Sequence, residues 1–227
     1  MQISVITLFP QMFEQVFSQS IIKRALSKNH VSISYIALRQ FATDAYGSVD
    51  DRPYGGGHGM VLRVDILDNA IEFAKNSMKA PHVHTVLLDA SGTPYKQKIA
   101  QTLASRDSMI LVCGHYEGVD ARVFSLVDEC ISIGDYVLTG GEIPAMVLID
   151  SVVRLLPGVL SKEIATQDES FSADEKLLEY PQYTRPDDYK SMKVPEILLR
   201  GNHGEIAKWR KAKAAEKTVK YRPDLTS

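Results

Sequence analysis

Cysteine is scarce: Cys113 and Cys130 are the two in 227 residues. They form no CxxC and share no metal-ligand spacing, so reduced, partly buried thiols are expected rather than a metal or redox site. No stretch approaches the roughly 20 consecutive apolar residues of a membrane span. Met1-Gln2-Ile3 leads straight into a strand pattern without a basic leader. A cytoplasmic protein with no membrane partner is the expectation. Three signatures are also missing. After the first strand, where a dinucleotide-binding protein carries G-x-G-x-x-G, stands Leu8-Phe9-Pro10-Gln11-Met12. There is no Walker A loop and no G-x-S-x-G elbow. His58, His115, Glu117 and Asp135 lie on different loops without zinc-type spacing, so no metal site is expected.

Neither sign of charge dominates, with 26 basic and 28 acidic side chains, but the distribution is uneven. Residues 163–188 hold eight acidic and two basic residues, whereas 200–222 hold eight basic against Glu205 and Glu216. A basic segment on a near-neutral chain fits a polyanionic partner or a solvated helix face.

What is present begins as β-α-β. Residues 3–8 form a compact apolar run ending at Phe9-Pro10, 12–28 a helical pattern, and 31–38 an alternating strand. Residues 41–65 break into a polar loop with Gly55, Gly56, Gly57 and Gly59, a composition that suits a binding loop rather than a core. A helix (65–79), a strand (83–88), a helix (96–105), a strand (108–112), a short helical link (121–128) and a strand (130–133) follow. Three successive strands thus end in glycine loops, at 89–92, 113–118 and 134–141. Carboxyl ends of strands are where open α/β sheets bind ligands, so these loops are expected to form one pocket. Pro144 suits a first helical turn. Residues 143–156 are apolar almost all round, which predicts a buried helix carrying two charges, Asp150 and Arg154, on one face. Beyond Pro157-Gly158 an acidic linker leads to a small helical unit with a basic helix from Glu205 to about 218.

Arg154 fits an ion pair with Asp150 or an oxyanion-stabilising cation. Asp168 and Glu169 fit solvated acids or a general base. The residue pattern leaves both questions open.

Several long motifs in order narrow them: Cys113-Gly114-His115-Tyr116-Glu117-Gly118, then Ile133-Gly134-Asp135-Tyr136-Val137-Leu138-Thr139-Gly140-Gly141-Glu142, then Pro181-Gln182-Tyr183-Thr184-Arg185-Pro186. Together with Leu8-Phe9-Pro10, the glycine loop and Gly201-Asn202-His203, they resemble the bacterial tRNA (guanine-37-N1)-methyltransferases of the SPOUT superfamily over nearly the whole chain. The resemblance implies an α/β SPOUT fold with a deep C-terminal trefoil knot, a linker and a small helical C-terminal domain, in a homodimer. The corresponding boundaries are a knotted cofactor-binding domain at 1–160, a linker at 161–175 and a tRNA-binding domain at 176–227.

It also implies S-adenosyl-L-methionine as cofactor and the tRNA anticodon loop as partner, with guanine 36 beside the target. Cofactor contacts would come from Leu88, Asp89, Ala90 and Gly92, from Gly114, Tyr116, Glu117 and Gly118, and from Ile133, Gly134, Tyr136, Leu138, Gly140, Gly141 and Pro144. Substrate contacts would come from Asp50, Gly55, Gly57, Gly59 and Arg185. Arg154 matches the family's catalytic arginine. The family's base, an aspartate directly before Ser-Phe, is replaced here by Glu169 before Ser170-Phe171, so Glu169 is the expected base and Asp168 the alternative. His58, His115 and Ala90 depart from the family's proline, arginine and proline. A related methyltransferase with another RNA target, or a weakened RNA- or cofactor-binding protein, are the competing expectations.

Overall fold

The structure is a computed structural model that describes residues 1–78, 80–160, 169–171 and 177–226. The chain forms two compact units, Met1–Ser161 and Lys162–Ser227.

The first unit is built on a five-stranded parallel sheet. Its strands are β1 (Gln2–Thr7), β2 (Ser32–Ala37), β5 (His84–Pro94), β6 (Ser108–Cys113) and β7 (Glu129–Ser132), in the order β2-β1-β6-β5-β7. Alternate residues feed two cores. Ile3, Val5, Met109 and Leu111 face α1 (Gln11–Phe17), α2 (Ser20–Ser27), α4 (Gln97–Ala104) and α5 (Glu142–Val153), while Ile6, Leu87, Ile110 and Val112 face α3 (Val64–Ser77). Burial on both faces explains why β1, β6 and the first part of β5 read as continuous apolar runs, whereas the edge strand β2 alternates.

Four expectations need correction. The single helix over 12–28 is two: Gln19 is extended and Ser20 has φ +55°, while Ser18 Oγ donates to the Gln15 carbonyl. Short hydroxyl side chains offer the backbone partners outside the helix and so favour such breaks. The 41–65 segment does reach the core. Val49 and Leu62 are fully buried, and Asp50–Asp51 (β3) pairs antiparallel with Val61–Leu62 (β4).

The strand expected to stop at 88 continues to Pro94. Leu88 and Thr93 both register against Ile131, so 89–92 bulge out between two pairings of one strand. Asp89 Oδ1 closes that bulge by accepting from the Ser91 N–H and hydroxyl. Finally, α5 is not buried all round. Asp150 is exposed, and Ile143 and Val147 are 46% and 40% exposed. The buried charged residue of this helix is Glu142 in its first turn, only 2% exposed.

The second unit carries a small hairpin, β8 (Asp188–Tyr189) with β9 (Met192–Lys193), a short helix α6 (Glu196–Leu199) and the long α7 (His203–Tyr221). Lys190 and Ser191 both have positive φ, as the right-handed twist of a two-residue hairpin turn requires. Asn202 caps α7 by accepting from the Gly204 and Glu205 N–H groups, which gives the helix a defined start. Leu178 N–H donates to Thr218 Oγ1 and Lys217 donates to the Glu179 carbonyl, tying the 177–180 segment to α7.

Candidate active site

The 113–118 and 132–141 loops follow the carboxyl ends of β6 and β7, and the 89–92 bulge lies in the carboxyl-terminal half of β5. They enclose a cleft of about 170 Å³. Every residue that the resemblance assigns to a cofactor lines it, Gly92 excepted; His115, Ile131, Ser132, Val137 and Thr139 line it as well. Gly92 instead marks a chain crossing, since a Cβ there would lie 2.5 Å from the Ile131 backbone. Gly141 marks a second: its Cβ would sit 2.7 Å from Cys113 Cα, and its N–H donates to the Gly114 carbonyl at 2.7 Å. Glycine is needed at both because backbone cannot give way.

Buried polar side chains adjoin the cleft lining. Thr7, at the end of β1, donates from Oγ1 to Glu142 Oε1 at 2.8 Å and accepts from the Phe9 N–H at 2.9 Å. Glu142 Oε2 faces His115 Nδ1 at 3.7 Å, and that nitrogen is buried with no hydrogen-bond partner among the described residues. The His115 ring is held edge-on by Phe9 and Tyr116. Full burial, then the nearby Glu142, pushes the Cys113 thiol well above its ordinary range. Tyr116, which lines the cleft, has φ +61°. A left-handed backbone at a non-glycine residue is costly and persists only where its surroundings enforce it.

The glycine-rich loop is bound to this rim. Glu117 N–H donates to the Met60 carbonyl, Leu62 N–H to the Gly118 carbonyl, and Asp120 N–H to the Leu62 carbonyl, all at 3.0 Å. Gly59, φ +79°, lets the Glu117 side chain pass where a Cβ would collide with it. Of the residues expected to touch substrate, Asp50 is half-buried in β3, and Gly55 and Gly57 lie in the exposed loop.

Arg154 stands at the C-terminal end of α5, half-buried, its N–H donating to the Asp150 carbonyl. Glu169 is half-buried in the second unit. Asp168 lies outside the described residues. Arg185 lines a separate cleft of about 350 Å³ within the second unit, with Tyr180, Tyr183, Trp209 and Arg210. Arg210 lies over the Tyr180 ring at 4.6 Å. Among the described residues no group of three His, Cys, Asp or Glu side chains is placed to hold a metal ion.

Residue reasoning gave Glu142 no role and did not pair it with His115. An acidic residue in the first turn of an otherwise apolar helix, directly after Gly-Gly, was the available signal.

These features define an α/β protein with a glycine-lined ligand cleft at the carboxyl ends of parallel strands and no dinucleotide turn. The family described as tRNA (Guanine-1)-methyltransferase TrmD matches residues 1–227, and the chain belongs to it. A protein of Geobacillus kaustophilus named tRNA (guanine-N(1)-)-methyltransferase is 51% identical over 227 residues, spanning 99% of this chain and 91% of the relative. Proteins of the same name from Syntrophomonas wolfei and Caldanaerobacter subterraneus are each 50% identical, over 225 and 221 residues. They span 99% and 97% of this chain and 90% of each relative.

Proposed function

We propose that this protein methylates N1 of guanine 37 in the tRNA anticodon loop, where guanine 36 precedes it, with S-adenosyl-L-methionine as methyl donor. Membership of the tRNA (guanine-1)-methyltransferase family along the whole chain carries this reading.

The cleft residues fit such a donor. Gly114, Gly118, Gly134, Gly140 and Gly141 bring the main chain to the cleft with no Cβ in the way, which suits the flat face and edge of an adenine. Leu88, Ile133, Leu138 and Pro144 offer apolar contact, and the Glu117 carboxyl on the rim suits a hydroxyl-bearing or positively charged ligand. The donor supplies a methyl carbon on a positively charged sulfur, which departs with the bonding electron pair. Everything else falls to the protein. Guanine N1 carries a proton and is a poor nucleophile until that proton leaves, so Glu169 accepts it, with Asp168 as the alternative base. Charge released onto guanine O6 is met by the Arg154 guanidinium.

The second unit supplies the polyanion-binding surface. Lys208, Lys211, Lys213, Lys217 and Lys220 line α7, and the Tyr180–Tyr183–Trp209 cleft with Arg185 and Arg210 suits unstacked bases. The glycine loop with Asp50, Gly55, Gly57 and Gly59 approaches the target guanine. The domain labels 1–160, 161–175 and 176–227 follow this division of labour.

Three further properties belong to the same reading. A trefoil knot is supported by the placement of β5 between β6 and β7 and by the crossings at Gly92 and Gly141. A homodimer is supported by exposed apolar side chains on two packed helices, Met12 and Val16 on α1 and Ile143 and Val147 on α5. A tRNA-modifying activity belongs in the cytoplasm, and no helix among the described residues is long and apolar enough to cross a membrane.

The test is methyl transfer from labelled donor to transcripts carrying guanine 36 and 37, with the label mapped to N1 of guanine 37. A wild-type protein that binds the donor but labels no such transcript would falsify the proposal. Label on rRNA alone would point to another RNA target.

A further inference from the structure

The geometry points to Glu142 as the positioning residue of the cofactor cleft, acting through His115 and Thr7. This rests on the reading that the cleft binds S-adenosylmethionine.

Glu142 sits below the cleft and reaches three separate chain segments. Through Thr7 it holds the end of β1, 135 positions away in sequence, and Thr7 in turn fixes the Phe9 N–H. Through its own backbone it begins α5, directly after the Gly140-Gly141 floor of the cleft. Through Oε2 it faces His115, which pairs as an isolated bridge with Gly140 and lines the cleft. A Cβ at Gly140 would collide with both His115 Nδ1 and Glu142 Oε2. That glycine therefore makes room for the two side chains to face each other.

Among the described residues the buried imidazole nitrogen has no hydrogen-bond partner, and the nearest carboxyl oxygen is 3.7 Å away, too far for a hydrogen bond. Closing to roughly 2.8 Å requires a shift of about 1 Å. Active-site hydrogen bonds that are long without ligand commonly tighten when it binds. The element that would move is the 113–118 loop, whose Tyr116 holds a left-handed backbone against the cleft. A ligand seated on that loop presses His115 toward Glu142. Ligand binding and closure of the pair are then coupled, and Glu142 touches neither donor nor guanine.

The experiment measures S-adenosylhomocysteine binding by calorimetry for wild type, Glu142→Gln, His115→Gln and the double variant. The Glu142→Gln amide keeps the volume and one acceptor oxygen for Thr7 but replaces the oxygen facing His115 with an N–H donor, so it cannot accept from Nδ1–H as the carboxylate does. Each single variant is expected to weaken binding about 10-fold at unchanged stoichiometry, with the double variant no worse than either single one, as one shared interaction demands. Steady-state kinetics should show the cofactor KM rising in parallel, with kcat at saturation and the tRNA KM within about twofold, the signature of lost uniform binding. A purely structural role would reduce the stoichiometry and the melting temperature instead. Binding within twofold of wild type in both single variants, or additive losses in the double one, overturns the inference. Should Glu142→Gln fail to fold, His115→Gln decides alone, because it leaves the Thr7–Glu142 bond in place. Absence of binding in the wild type would instead defeat the reading of the cleft.

Discussion

At the level of single residues, the proposed chemistry divides between Arg154 and an acidic residue before Ser170-Phe171. Arg154→Ala should lower kcat by roughly 10²–10³, the usual loss when a preorganised charge partner is removed, while cofactor affinity measured by calorimetry stays put. Glu169→Gln should lower kcat by roughly 10²–10⁴, and Asp168→Asn should change it little. The opposite ranking in single-turnover assays would assign the base to Asp168. The thiols should take no part. Burial, then Asp89, pushes Cys130 up to about 11 from an ordinary 9.0, and Cys113 is raised well above that ordinary value by full burial and Glu142. Thiolate is the reactive form, so a disulfide reagent at pH 7.5 should titrate neither thiol until denaturant is added. Prompt reaction of the folded protein would contradict this.

Among the elements, the strand-to-loop junctions bear the tightest constraints. Gly141→Ala places a Cβ 2.7 Å from Cys113 Cα and 2.8 Å from the Gly114 nitrogen. Forced overpacking of this kind costs about 1–3 kcal/mol or more, which lowers Tm by roughly 3–10 °C in a chain of this size. Gly114→Ala is the control, since its Cβ would meet the Leu88 carbonyl oxygen at an ordinary 3.5 Å. Equal melting temperatures for the two variants would refute the crossing argument. The same junctions show what sequence pattern could and could not convey. Glycines after strands announced three loops and one cleft, because glycine placement is a local demand. The continuation of β5 past its bulge was invisible, because Thr93 and Pro94 join the sheet only through β7. The break between α1 and α2 was equally hidden, since the apolar spacing runs through Gln19 and Ser20 without interruption.

For the molecule as a whole, two measurements follow. The exposed apolar face of α1 and α5 predicts self-association. Sedimentation should show a dimer for wild type and a monomer for Val147→Asp, whose charge would be buried at that face. Stability should also fall at alkaline pH. Tyr35 is pushed up to about 12 by burial and then by Glu14, and Cys130 to about 11. Each keeps its proton in the fold after the unfolded chain has lost its own. Their contribution is therefore complete below about pH 9 and is lost as pH rises from there through about 11 for Cys130 and about 12 for Tyr35. A melting temperature that stays flat from pH 8 to 11 would count against it.

Residue order alone was enough to set out an α/β chain, the five strands of its main sheet, the helices α3, α4 and α5, the glycine loops and the basic final helix. Each of these depends on spacing within a few residues, where periodicity and backbone freedom act directly. Long-range contact decided the rest. That α5 would expose Ile143, Val147 and Asp150 while burying Glu142 depends on what packs against each face. That Glu142 would meet Thr7 and His115 depends on three segments, far apart in the chain, arriving at one point below the cleft. No local pattern carries that information, because burial and pairing belong to the folded neighbourhood rather than to the residue.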